Sequence, residues 1–181
     1  MGKDLAAAYP EAKAVFDEVD AALNQKLSQI MWEGPAETLT LTENAQPALM
    51  AVSLAVMRVL EQRGVKLGQG ISFVAGHSLG EYSALAAAGT FSIADAARLL
   101  KLRGQAMQKA VPVGVGAMAA LLGVGIEAAK AIAADAAQGD VCDIANDNDT
   151  TQVVLSGHKT AIDRVAEVED RVQHEVMKEE V

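Results

Sequence analysis

The stretch Ile71-Ser72-Phe73-Val74-Ala75-Gly76-His77-Ser78-Leu79-Gly80 decides how the rest of the chain is read. Residues 71–75 are a short apolar run between glycines, the pattern of a buried strand, and the Ala-rich residues 81–90 begin as a helix. Between them Gly-His-Ser-Leu-Gly has the G-x-S-x-G spacing of a strand, sharp turn and helix that lifts a serine hydroxyl clear of a sheet. The two glycines are read as removing Cβ atoms that would clash in such a turn. Ser78 then faces the open N-terminus of the following helix. The Leu79 N–H is placed to donate to an oxyanion, reinforced by the helix dipole. The plainer alternative is a chance glycine turn.

Upstream, residues 4–23 form an amphipathic helix with Ala8, Ala12, Val15, Phe16, Val19 and Leu23 at three- and four-residue spacing. Residues 27–33 continue as a short helix until Gly34-Pro35 breaks it, and the Thr-rich residues 38–43 read as a connector. A strong helix follows Pro47, with Leu49, Val52, Val56 and Leu60 on one face and Gly64 just past its end. Downstream, residues 92–111 make a helix that Pro112 ends.

After Pro112 the character changes. Residues 116–123 read as a strand, 126–137 as a helix, 141–145 and 152–156 as strands around a polar loop at 146–151, and 159 onward as a helix. That order suggests a small α+β subdomain of the split-βαβ kind.

Composition narrows the function classes. Fifteen Lys and Arg stand against 24 Asp and Glu, a formal charge of −9, so phosphate backbones repel a chain without a concentrated basic patch and nucleic acid is a poor first guess as a partner. With 3% aromatic residues there is no stacking platform for single strands either. Half of the residues are hydrophobic (51%), enough for a real core. The one cysteine, Cys142, makes no internal disulfide, which favours a reducing compartment. The longest uncharged run, residues 110–126, is interrupted by Pro112 and four glycines and is not a membrane span. The N-terminus has no apolar signal core, so the expectation is a soluble, cytoplasmic chain.

A serine nucleophile needs a base, and none stands out. His77 is adjacent on a tight elbow and points elsewhere, which favours a packing or turn-stabilising role. His158 follows a glycine at a strand end, and His174 lies in a charged tail; an exposed histidine is the plainer reading of both. Asp140, Asp143, Asp147 and Asp149 lack the glycine and terminal glutamate of a calcium loop and have no histidine at ligand spacing, so they read as solvated loop and no metal is expected.

Residues 76–85, Gly-His-Ser-Leu-Gly-Glu-Tyr-Ser-Ala-Leu, closely resemble the active-site segment of the malonyl-CoA:acyl carrier protein transacylases of bacterial fatty acid synthesis. Other stretches resemble that family in the same order: Leu-Thr-Leu-Thr-Glu-Asn-Ala-Gln-Pro-Ala at 39–48, Leu-Arg-Gly-Gln-Ala-Met-Gln at 102–108, Ala-Val-Pro-Val-Gly at 110–114 with Gly-Ala-Met-Ala-Ala at 116–120, Ala145-Asn146 with Asn148, and Gln-Val-Val-Leu-Ser-Gly-His-Lys at 152–159. The likeness runs from Met1 to about Val165.

The resemblance implies an α/β fold: part of an α/β-hydrolase-like acyltransferase core over 1–112, a ferredoxin-like small subdomain over 113–165, and a divergent charged tail over 166–181. It implies Ser78 as the acyl-accepting nucleophile and the Leu79 N–H as half of the oxyanion hole. Arg103 is implied to bind the free carboxylate of malonyl, a role its planar fork of donors suits; read without the family it is a cation on a helix face. Gln46, Met107 and His77 match positions near the acyl pocket. Asn146 and Asn148 match an Asn-rich loop, or make a bare polar turn. The implied partners are malonyl-CoA and acyl carrier protein, with the CoA thioester as substrate and no cofactor. Arg98, Lys101, Arg103 and Lys109, with no acidic residue between them, read as a cationic segment for CoA phosphates or an acidic carrier, or as a solvated helix face.

The family's Gly-Gln-Gly-Ser-Gln motif precedes the matching stretch, and its Pro-Phe-His-Ser-like segment with the catalytic histidine follows it. The expectation is therefore a family member truncated at both ends, with an incomplete core and impaired chemistry. The rivals are a polyketide synthase-type acyltransferase, a serine esterase (which gives Arg103 no partner) and a non-catalytic fragment.

Overall fold

A computed structural model describes residues 1–112 and 114–179, with side chains through Asp170. His174 and Val113 thus lie outside what is described in full. The chain divides into two compact units, Met1–Ala110 and Val111–Val181.

In the first unit, α1 (Lys3–Ala8) and α2 (Pro10–Leu23) replace the single helix expected over 4–23. The break is at Tyr9, which is extended (φ −134°, ψ 113°), because the ring of Pro10 excludes the residue before it from helical angles. Next come α3 (Leu27–Glu33), α4 (Ala36–Thr40) and α5 (Thr42–Gln62). Most of the expected connector at 38–43 is therefore helical, and Pro47 lies inside α5 rather than ahead of it. Helices α2, α5 and α7 (Ile93–Ala110) pack together around Phe16, Leu27, Met50 and Leu100, each under 2% exposed. Helix α5 is apolar on two sides. It buries Ala48, Ala51, Leu54, Ala55 and Val59, whereas Leu49, Val56 and Leu60 of the expected stripe are exposed.

Residues 71–75 do not form the expected buried strand. A two-residue parallel ladder joins β1 (Lys66–Leu67) to β2 (Gly70–Ile71), and residues 72–76 carry no ladder partner among the described residues. Phe73 is 90% exposed. A strand is a pairwise object whose backbone N–H and C=O groups need neighbours, and apolar character by itself does not supply them. The short helix α6 (Gly80–Ala87) follows the turn at 77–79.

The second unit runs β3 (Gly116–Leu122), α8 (Ile126–Ala137), β4 (Cys142–Asp149), β5 (Gln152–His158) and α9 (Lys159–Glu179). Its sheet has the order β3-β5-β4 with β5 antiparallel to both neighbours. Strands β3 and β4, joined through α8, are thus parallel and separated by β5, the split-βαβ arrangement. Leu155 stands opposite Ala119 on one side and Ile144 on the other, and Leu121, Ile132, Val153 and Leu155 form the buried centre. The polar loop expected at 146–151 is mostly strand: Asn146 to Asp149 complete β4 through two register shifts, leaving a turn at Thr150-Thr151. Pairing with β5 overrides the polarity of these residues. Among the described residues no helix is long and apolar enough to cross a membrane.

Candidate active site

The elbow is set by two backbone positions. A Cβ on Gly76 would lie 1.9 Å from the carbonyl oxygen of Gly80 and 2.5 Å from the Glu81 nitrogen, so no other residue fits there without moving the start of α6. Ser78 itself takes the left-handed conformation (φ 55°), a strained state for a residue with a side chain. Gly80 differs from expectation: a Cβ on it would meet nothing within 4 Å. The close approach concerns the strand side of the turn alone. The turn closes through the Gly80 N–H donating to the His77 carbonyl (2.8 Å) and the Glu81 N–H to the Ser78 carbonyl (3.2 Å). Leu79 is the N-cap of α6 and packs, with Tyr82, against the core of the first unit.

Ser78 is exposed, and a cation reaches it. Arg103 donates from Nη2 to Ser78 Oγ at 3.1 Å and from Nη1 to Gln46 Oε1 at 2.5 Å. Gln46, 3% exposed, is itself oriented: its amide nitrogen donates to Thr42 Oγ1 (2.7 Å) and meets the Met107 sulfur (3.3 Å). Residues from α5 and α7 thereby converge on the elbow. What lets them converge is Gly104, where a Cβ would lie 2.4 Å from Glu43 Cα and 2.7 Å from the Thr42 carbonyl oxygen. Of the expected site residues, Ser78, Arg103, Gln46 and Met107 are in one hydrogen-bonded chain, Leu79 adjoins it, and His77 contributes its carbonyl to the turn while its side chain is exposed. Thr42 and Gly104 join this site although neither carries a reactive group that marks it in the sequence. A glycine directly after the arginine, in mid-helix, was the available signal.

The guanidinium cannot take the serine proton, since it offers only N–H donors and no acceptor. It donates to Ser78 Oγ and holds positive charge beside it. The cationic segment of α7 is otherwise largely engaged. Arg98 pairs with Asp95 (3.1 Å), and Lys101 contacts Glu43 (3.4 Å), Gln25 (3.1 Å) and Asn44 (3.0 Å).

His158 has a different occupation. Its Nδ1 lies 3.2 Å from Asp140 Oδ1, and Asp140 Oδ2 accepts from Thr160 Oγ1 (2.7 Å) and Arg164 Nη2 (2.9 Å). Arg164 also donates to the carbonyls of Ala136 and Ala137, so the cluster ties the end of α8 to the start of α9. The Thr160 hydroxyl, Arg164 and His158 hold the Asp140 carboxyl down to about 2. Asp140 is therefore a structural anchor rather than solvated loop.

The chain as a whole has counterparts among known proteins. The family model of the acyl transferase domain matches residues 1–181, past the end of the likeness seen at about residue 165. Among curated relatives, the malonyl CoA-acyl carrier protein transacylase of Bacillus subtilis (strain 168) is 46% identical over 169 residues, 93% of this chain and 52% of the relative. That of Escherichia coli (strain K12) is 46% identical over 164 residues, 91% and 52%. The chain thus spans about half the length of the curated relatives it matches. Among solved structures, acyl-carrier-protein-S-malonyltransferase from Bartonella henselae is 56% identical with a TM-score of 0.88, covering 94% of this chain and 55% of that one. A type II PKS acyl-carrier protein in complex with its malonyl-transacylase gives 41% identity and a TM-score of 0.84, covering 93% and 53%. These likenesses fix the fold as α/β: the chain belongs to the acyl transferase domain family.

Proposed function

We propose that this chain carries the acyl-accepting part of a malonyl transfer site, moving malonyl from malonyl-CoA to the phosphopantetheine thiol of acyl carrier protein in fatty acid biosynthesis. The observation that carries this reading is the Arg103 guanidinium 3.1 Å from Ser78 Oγ, held by a buried glutamine. A guanidinium beside a nucleophilic hydroxyl is of no use to a neutral acyl group. It suits an acyl group that ends in a carboxylate, which the planar fork takes bidentately.

In the first step Ser78 Oγ bonds to the thioester carbonyl carbon, the C–S bond breaks, and CoA leaves as the thiol with the serine proton. The Leu79 N–H, at the N-cap of α6, is positioned for the oxyanion that forms on the way. In the second step the carrier thiol sulfur bonds to the ester carbonyl carbon, the C–Oγ bond breaks, and the thiol proton passes to Ser78 Oγ. Gln46 and Met107 shape the acyl pocket around Arg103, and His77 closes the turn. Residues 1–112 belong to the α/β acyltransferase core and 113–165 to its ferredoxin-like small subdomain, and the charged tail that starts at 166 continues α9 as far as Glu179. The cytoplasm, where CoA thioesters are made and a lone cysteine stays reduced, is the compartment that fits.

The test is intact-protein mass spectrometry with malonyl-CoA or acetyl-CoA in large excess, so that slow transfer still accumulates. A malonyl adduct is expected on the parent and not on Ser78→Ala. Arg103→Ala is expected to lose roughly 10- to 100-fold of the preference for malonyl over acetyl, the loss of a charge-assisted pair. Equal acceptance of both donors by the parent, or an adduct that survives Ser78→Ala, would overturn the reading.

A further inference from the structure

We infer that Lys101 is a positioning residue for Arg103, acting through the first turns of α5; the inference rests on Arg103 being the carboxylate-binding group. Lys101 is only partly exposed (21%), and its ammonium reaches Gln25 Oε1, Asn44 Oδ1 and Glu43 Oε2. Three acceptors match the three protons of an ammonium. They come from two places: Gln25 follows α2, whereas Glu43 and Asn44 are in the first turn of α5. Asn44 is fixed in turn, accepting from Gln25 Nε2 (3.0 Å) and donating to the Thr38 carbonyl (2.8 Å).

The helical arrangement gives this network a function. At about 100° per residue, Lys101 and Arg103 project on opposite sides of the line through Leu100, Gly104 and Met107. Gly104 touches the backbone of Thr42 and Glu43 on that line, so it is a pivot about which the start of α5 can turn. On one side of the pivot Lys101 holds Glu43 and Asn44. On the other, Gln46 holds Arg103. Gly104 sets how closely the helices approach at this point, and the side chains on either side of it restrain the first turn of α5 against rotation. With Lys101 removed, that turn keeps the Asn44 bonds to Gln25 and Thr38 but loses its tie to α7 on one side, and Gln46 Oε1 shifts from the guanidinium. Arg103 then loses the acceptor that aims its second nitrogen at Ser78.

The test reads the position of Arg103 directly. The parent, Lys101→Met, Lys101→Arg and Glu43→Gln are treated with phenylglyoxal, and modification of each arginine is followed by peptide mass spectrometry. Arg58, Arg63 and Arg98 serve as internal references. In Lys101→Met the Arg103 rate is expected to rise roughly five-fold relative to those references, as one hydrogen-bonded restraint is lost. Glu43→Gln should move it less in the same direction, and Lys101→Arg should restore most of the protection. The malonyl-over-acetyl preference at Ser78 should fall in step with the Arg103 rate. An unchanged Arg103 rate in both Lys101→Met and Glu43→Gln would overturn the inference. So would an equal rise at all four arginines, because Lys101 would then be holding the fold rather than the guanidinium. A parent without preference for malonyl would sink the carboxylate reading of Arg103, while its labelling would still decide whether Lys101 places it.

Discussion

Ser78 bears the strain of the site in its own backbone. A left-handed conformation costs a residue with a Cβ about 1–2 kcal/mol relative to glycine, and the turn imposes it because Gly76 and Gly80 already touch. Two variants that both delete the hydroxyl should therefore differ. Ser78→Gly is expected to be about 1 kcal/mol more stable than Ser78→Ala, less whatever the added freedom of glycine in the unfolded chain offsets. Denaturant midpoints of the two variants check this, and equal midpoints would show that the elbow relaxes when its side chain changes. The serine and its first glycine were legible in the sequence because spacing alone demands them. The role of Gly80 was not, since the same spacing does not say which Cβ collides.

At the level of elements, the seam between α5 and α7 carries the site, and Gly104 sets how close the two helices come. Gly104→Ala would place a methyl group 2.4 Å from Glu43 Cα, against backbone that no rotamer change can move. The expected cost is about 1–3 kcal/mol, towards the upper end, from overpacking. Because Arg103 precedes Gly104 and Gln46 lies on the displaced helix, acylation of Ser78 should fall by more than the stability loss explains; a denaturation curve beside a labelling time course separates the two. Helices were the readable part of this chain, because a 3.6-residue repeat is local. Even so, periodicity does not choose which face of α5 is buried: Leu49, Val56 and Leu60 recur along the helix as Met50, Leu54 and Val59 do, and only the positions of α2 and α7 decide between the stripes. The segment at 71–75 failed for the complementary reason. Its composition is that of a strand, but pairing is decided by other parts of a sheet, and no described residue pairs with 72–75. At 146–149 pairing worked in the other direction and drew a polar stretch into β4.

For the molecule as a whole, two separate cores imply two separate responses to acid. The first unit holds the core around Phe16 and Leu100, and the second the core around Leu121 and Leu155. Among the described residues, the carboxyl groups held below their usual range, Asp140 and Asp149, are both in the second unit; Asp149 accepts from the Thr151 N–H and hydroxyl. With its folded value near 2 against the usual 3.8, Asp140 binds fewer protons folded than unfolded between those values. Its contribution to stability is therefore complete above about pH 4 and is lost as the pH falls towards about 2. Amide exchange at Val153 and Leu155, corrected for its intrinsic pH dependence, should show protection falling across that window. In Asp140→Asn protection should be lower at neutral pH and its acid dependence flatter, leaving the part due to Asp149. The chain's one tryptophan, Trp32, packs edge-on against Phe16 in the first unit (5.8 Å), so its emission reports on that unit alone. Emission that shifts in the same pH window, and to the same extent in the parent and in Asp140→Asn, would show that the acid response does not originate at Asp140. A shift confined to exchange in the second unit, and flattened by the substitution, places it there, with Thr160, Arg164 and His158 as the groups that keep the carboxylate charged.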